Sequence, residues 1–378
     1  MNDWNTPIQH QLTAWLSRRT ARNGVRRVVP LSAAIASELG MVRSENQDRA
    51  IIVQGWDREG RRFAVGAVAD GIGGMRDGGA CAALTLGAFV AAIHHYARTT
   101  SVESDDLLSR AFFAANEAVH NQFKGDGGAT LVAVILRQNS PTFWASVGDS
   151  RIYKAVDGSV RQLSVDDTIA GQLGKRDDES IEHSKLLQYI GMGSDLEPHV
   201  DETQHSPMGS LVLTTDGVHY LARNSILMDK VVLNSPDPGA CVKRLVELAN
   251  WCGGPDNATV LVMPLSVDFE SAYEPPYSCV DVWDSYGDLQ LIVGSAQQEL
   301  SGPNRNDKSD NKKNSLSVQS KKLASSSVSR SVSVVDRGKP ASVKQTSKDK
   351  SGSVKRISRS RNKQEVPQLL MEFPHKTD

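Results

Sequence analysis

Four aspartates stand where a strand-like run meets a turn. Phe63–Ala69 leads into Asp70-Gly71, Phe143–Val147 into Gly148-Asp149, and Leu211–Thr215 into Asp216-Gly217, while Asp256-Asn257 directly precedes Ala258–Val262. A carboxylate at a strand end is held by a rigid element and still reaches a loop surface. Several such carboxylates converging would make a hard, all-oxygen site of the kind that takes Mg²⁺ or Mn²⁺.

These runs belong to a longer series of strand-like segments: Leu31–Ser37, Ala50–Gln54, Phe63–Ala69, Thr130–Leu136, Phe143–Val147, Arg151–Ala155, Leu211–Thr215 and Thr259–Met263. Helical patterns cover residues 79–97, 105–123 and 238–251. In the second, Leu107, Leu108, Phe112 and Ala115 form an apolar face, and acids stand near its start. Runs of strands interrupted by paired helices predict sheet packed on sheet with helices outside, not strict βαβ alternation. The expected organisation is an N-terminal extension over 1–29, one domain over 30–266, a linker or terminal strand over 267–300, and a tail over 301–378. In the extension, Ile8, Leu12, Trp15 and Leu16 share one helical face, which suits packing on the domain better than a membrane surface, because the stripe is short.

The net charge of −1 hides an asymmetry: residues 301–378 carry 18 Lys/Arg against 7 Asp/Glu, so the remaining 300 residues are acidic. Ser, Lys, Arg and Asn dominate the tail, which cannot bury enough apolar area to offset its ordering entropy and is predicted to be disordered. Three uses fit it: a solubilising segment, a phosphorylated or docking segment built on Lys355–Lys363 and the apolar Val366–Phe373, or weak, salt-dependent attraction to polyanions. The four cysteines, Cys81, Cys241, Cys252 and Cys279, show no zinc spacing and no disulfide framework, which fits a reducing, cytoplasmic setting. No secretory signal opens the chain and no membrane span is expected. His94-His95, His183, His199 and His205 show no ligand pattern.

Gly71-Ile-Gly73-Gly74 lacks the third glycine of a dinucleotide fingerprint, and no Gly-Lys-Ser/Thr follows. Glycines here instead let the backbone approach an ion and its ligand. Seven segments in register resemble the metal-dependent protein phosphatase 2C family in its bacterial form: Arg43-Ser-Glu-Asn-Gln-Asp48, Val68-Ala-Asp-Gly-Ile-Gly-Gly74, Gly128-Ala-Thr130, Val147-Gly-Asp-Ser-Arg-Ile-Tyr153, Leu163-Ser-Val-Asp-Asp-Thr168, Leu213-Thr-Thr-Asp-Gly217 and Asp256-Asn-Ala-Thr259. The resemblance covers roughly residues 31–265. It implies an α+β fold, a four-layer α-β-β-α sandwich of two antiparallel sheets, with two Mn²⁺ or Mg²⁺ ions at one end. By matching position, Asp70 would bridge both ions, the Gly71 carbonyl would add a ligand, and Asp216 and Asp256 would complete the set. Asp149, with Asp216, would serve a weaker third ion. Asp48 would order water, and Arg43 would hold the substrate phosphate as a forked cation.

The implied activity is hydrolysis of phosphoserine and phosphothreonine in proteins by direct attack of water, with a Ser/Thr kinase as the counterpart. Ile72 stands where eukaryotic members carry a histidine, as in bacterial relatives, and Gln47 stands where those members have a metal-linked Glu. Asp167 replaces the histidine usual in the Asp-His-Ser segment, at the start of a variable flap over residues 165–200. The rival functions are a phosphoprotein-binding regulator with weak or no turnover, a phosphatase restricted to one signalling partner, and a tail-driven nucleic-acid binder.

Overall fold

The computed structural model describes residues 6–172, 185–204, 206, 208–219, 225–267, 269 and 278–293. Contacts divide the chain into two units, Met1–Asn304 and Arg305–Asp378. The second unit, with the expected tail, lies outside the described residues, as do His183 and His205. In chain order the elements are α1 (Pro7–Leu16), β1 (Asn23–Val28), β2 (Ala33–Glu38), β3 (Arg49–Trp56), β4 (Arg62–Ala69), α2 (Gly78–Thr99), α3 (Ser104–Phe123), β5 (Leu131–Arg137), β6 (Thr142–Val147), β7 (Arg151–Val156), β8 (Ser159–Gln162), α4 (Ile169–Gln172), β9 (His199–Thr203), β10 (Ser210–Thr214), α5 (Asp216–His219), α6 (Ser225–Leu233), α7 (Pro238–Trp251), β11 (Ala258–Pro264), β12 (Ser278–Trp283) and β13 (Asp288–Val293).

The strands form two antiparallel sheets. One has the order β1-β2-β11-β10-β7-β8 and the other β13-β12-β3-β4-β5-β6-β9. β4 and β5 are apolar along nearly their whole length because both faces are covered. Between the sheets, Ile35, Ile52, Val68, Val134, Leu213 and Leu261 form the inner core. Outside the seven-stranded sheet, α1, α2 and α3 bury a second cluster that includes Leu12, Leu16, Phe89 and Phe112. Outside the other sheet, α7 buries Val242, Leu245 and Val246. This is the expected α-β-β-α sandwich.

The sheets run past the 30–266 limits drawn from the sequence: β1 pairs with β2, and β12 pairs with β3. Helix α1 starts cleanly, with Thr6 accepting from Gln9 N at 3.2 Å and Pro7 in its first turn. Its apolar face packs on α2, as the pattern predicted. Helix α2 is long and apolar enough to cross a membrane. Its length is instead buried between the sheet, α1 and α3, which explains the composition.

One buried ion pair anchors the end of the seven-stranded sheet away from the four aspartates. Asp57, in the β3–β4 turn, accepts from Arg137 at 2.7 and 3.0 Å, from Arg61 Nε at 2.8 Å, and from the Glu59 and Arg61 amides. Arg137 also donates to Val102 O at 2.6 Å. Removing one partner strands the other charge in the interior. Asp57→Ala is therefore expected to lower stability by about 3–5 kcal/mol in urea denaturation, with the four-aspartate end of the sheets unaffected.

Candidate metal and phosphate site

The four aspartates meet at one end of the two sheets. Asp70, Asp149, Asp216 and Asp256 line a single cavity of about 520 Å³, together with Arg43, Gln47, Gly71, Ile72, Thr130, Lys185, Leu186, Tyr189 and Asn257. A larger hollow of about 690 Å³ lies at the β5–β6 turn. It offers an exposed Glu202 and the already paired Arg137, so it gathers no comparable chemistry.

Each site residue is fixed by its neighbours. Asp70 ends β4; its amide donates to Thr130 Oγ1 at 3.0 Å, and its carbonyl accepts from Thr130 N at 2.8 Å. Gly71 follows because a Cβ there would run into the Gly78 carbonyl. Gly217, after Asp216, is required in the same way by the Asn257 carbonyl. Asp149 follows Gly148, whose φ is +98°. Asp48, 3% exposed, accepts from Thr215 Oγ1 at 2.9 Å with one oxygen. Asn257 staples the 39–47 loop to the head of β11: its side chain donates to Leu39 O at 2.9 Å and Glu45 O at 3.1 Å, and accepts from Gln47 N at 2.8 Å. Thr215 and Asn257 lie inside the segments singled out above, but their partners do not show in the sequence.

The electrostatics are those of several acids crowded into one place. Burial, then the charge of Asp166, pushes Asp149 up to about 7. Burial pushes Asp48 up to about 6. Burial, followed by the facing charges of Asp48, Asp216 and Asp149, raises Asp70 well above the usual carboxylate range. Burial, followed by Asp149 and Asp256, does the same for Asp216. Asp70 and Asp216 keep some open surface in the cavity, yet protein surrounds them on most sides. Asp48 Oδ1 and Asp216 Oδ1 are buried with no hydrogen-bond donor.

Two described cations line the cavity, Lys185 and Arg43, and Arg43 Nη2 lies 2.6 Å from Asp256 Oδ2. The sequence expectation had this guanidinium on a phosphate. Here it neutralises one acid of the cluster. Among the described residues, no three carboxylate, imidazole or thiolate groups are drawn close enough to enclose an ion as they stand. The donor set itself suits a divalent cation: it is all oxygen, strongly acidic, half-open, and includes carboxylate oxygens with no other partner.

The sequence pattern of the family described as Protein phosphatase 2C matches residues 42–259, more than half of the chain. The chain belongs to the protein phosphatase 2C family. A Putative protein phosphatase 2C-type protein of Streptococcus pyogenes is 27% identical over 252 residues, which is 62% of this chain and 97% of that protein. Serine/threonine protein phosphatase PstP of Mycobacterium tuberculosis is 28% identical over 65% of this chain, and the match spans 47% of its length. Among solved structures, the PPM Ser-Thr phosphatase MsPP from Mycobacterium smegmatis, in complex with cacodylate, superimposes with a TM-score of 0.52 at 31% identity, covering 62% of this chain and 99% of that one. The family pattern ends at residue 259, ahead of the basic tail.

Proposed function

We propose that this chain hydrolyses phosphoserine and phosphothreonine in polypeptides, using divalent cations held in the carboxylate cavity. The observation that carries this reading is four strand-end aspartates sharing one cavity with a forked cation, Arg43. Asp70, the Gly71 carbonyl, Asp216 and Asp256 are the residues that would hold two Mn²⁺ or Mg²⁺ ions, and Asp149 with Asp216 a weaker third. Bound there, such ions supply Lewis acidity, making water nucleophilic near neutral pH and offsetting charge on the phosphoryl oxygens.

The protein's own groups do the rest. Asp48, given the ordering of water by its matching position in the family, is fixed through one oxygen by Thr215; its other oxygen is buried and does not line the cavity, so it would act from behind the four aspartates. Turning from Asp256 to the phosphate, Arg43 would grip two of its oxygens and free Asp256 as a ligand. As water attacks phosphorus, the bond to the Ser or Thr oxygen breaks, and that oxygen takes its proton from water. No histidine or cysteine lines the cavity among the described residues, and Ile72 stands where a histidine acid would be needed. The cacodylate in the M. smegmatis relative, a tetrahedral oxyanion, supports a phosphate-shaped site. A Ser/Thr kinase is the implied source of substrates, and the free cysteines suit a reducing, cytoplasmic setting.

The test is hydrolysis of a phosphothreonine peptide and of p-nitrophenyl phosphate in Mn²⁺ and in EDTA, for the parent chain and Arg43→Ala. Turnover is expected only with Mn²⁺. Arg43→Ala is expected to raise KM for both substrates by about 10- to 100-fold, the usual cost of losing a charged anchor. Tight phosphopeptide binding with no turnover in Mn²⁺ would instead favour a binding regulator.

A further inference from the structure

Asp167, the residue that departs from the family pattern, is 1% exposed and does not line the cavity. Its carboxylate joins two separate parts of the chain. Oδ2 accepts from Gly148 N at 2.9 Å, in the turn that carries Asp149. Oδ1 accepts from Gln188 Nε2 at 3.2 Å and pairs with His199 Nε2 at 2.9 Å, at the start of β9. The backbone repeats the link: Asp167 N donates to Gly148 O at 2.9 Å, and Leu187 N donates to Asp167 O at 2.7 Å.

The segment held in this way is one wall of the cavity. Lys185, Leu186 and Tyr189 face the same space as Arg43 and the four aspartates. Bridges between Thr168 and Leu186 and between Ala129 and Ile190 fix the backbone on either side of it. Gln188 is bonded in turn to the 197 backbone, accepting from Glu197 N at 2.7 Å. A buried carboxylate that satisfies donors from three elements specifies one arrangement, because any apolar replacement leaves those donors unpaired.

We propose that Asp167 is a positioning residue that fastens the wall of residues 185–190 to the Asp149 turn, and that this wall selects phosphorylated polypeptide over small phosphate esters. A small aryl phosphate reaches Arg43 and the acids without crossing the wall. A polypeptide has to lay the residues flanking its phosphate across Lys185 and Tyr189. The inference rests on the phosphatase reading above for its substrate class, but the fastening itself does not.

The experiment compares Gln188→Ala, His199→Ala, Asp167→Ala and Asp167→Asn with the parent chain. The first two loosen only the wall side. They are expected to raise KM for a phosphothreonine peptide, lowering the peptide-to-p-nitrophenyl-phosphate ratio of kcat/KM by about tenfold with peptide kcat within about threefold. Asp167→Ala lowers that ratio at least as far. Asp167→Asn keeps the bond from Gly148 N but turns an NH2 group toward Gln188 Nε2, so it loses that bond and lowers the ratio about as far as Gln188→Ala. Hydrogen exchange gives a readout free of activity: the amides of Gly148 and of residues 187–190 exchange faster in Asp167→Ala. An unchanged ratio, or equal losses on both substrates, overturns the selection. Unchanged exchange at those amides overturns the fastening. Failure of the parent chain on both substrates counts against the phosphatase reading, and the exchange result still decides the role of Asp167.

Discussion

In the Asp216→Asn variant, Mn²⁺-dependent hydrolysis of a phosphothreonine peptide falls by about a thousandfold, or about 4 kcal/mol of barrier, while the metal-free protein melts no lower than its parent. The two halves of this result share one cause. Asp216 carries a buried oxygen with no donor, and it faces Asp149, Asp256 and Asp48. Asparagine keeps the shape and removes the charge. The cluster loses an anionic ligand, which cations need, and the fold loses a like-charge repulsion, which cost it stability. A loss of activity accompanied by a clearly lower melting temperature would point to a structural role for Asp216 instead. Melting in EDTA and initial rates in Mn²⁺, measured on one preparation, separate the two.

In the chelated protein the acid cluster is expected to cost stability as pH rises from about 4 through about 7, and further as the raised Asp70 and Asp216 ionise. Asp48 and Asp149 sit at about 6 and about 7, above their ordinary 3.8. Over that window the folded chain keeps protons that the unfolded chain releases. The stabilisation is therefore complete below the ordinary value and is lost as pH climbs through the folded ones. A shift of one unit corresponds to about 1.4 kcal/mol, so the acids alone should lower the melting temperature in EDTA on the order of 5 °C between pH 5 and pH 8. Mn²⁺ favours the ionised acids and should reverse the trend, giving its largest thermal stabilisation near pH 8. Buried His94 and His219, held below the usual imidazole range, pull the other way over the same window, so the acids are isolated by Asp149→Asn: an unchanged pH slope in that variant would mean that Asp149 does not share a buried, crowded site.

Sequence reasoning reached the interior of this fold more readily than its edges. All eight strand-like runs became strands, from β2 through β11, because central strands covered on both faces read as near-continuous apolar runs. Of the four sheet edges, β1, β8 and β9 were not read as strands, and β13 was offered only as a terminal strand. Edges carry charge and alternate, as the Arg26-Arg27 pair of β1 does, and their pairing depends on partners far along the chain. Inner strand β12, with Asp281 between valines, was hidden for the same reason.

The site was legible because its acids stand at strand ends. What holds them was not. Thr215 reaches Asp48 across 167 positions and Asn257 reaches Leu39 across 218, and such contacts exist only once the sheets have formed. The Arg43–Asp256 pair and the threefold bonding of Asp167 belong to the same class.

The most direct test is equilibrium binding of Mn²⁺ to the metal-stripped 378-residue chain at pH 8, followed by calorimetry for the parent and for Asp70→Asn. About two ions per parent chain are expected, the number a paired-metal hydrolytic site requires, with loss of that binding in the variant. Phosphopeptide hydrolysis that persists without bound metal, or Mn²⁺ binding untouched by Asp70→Asn, would contradict the metal-dependent reading.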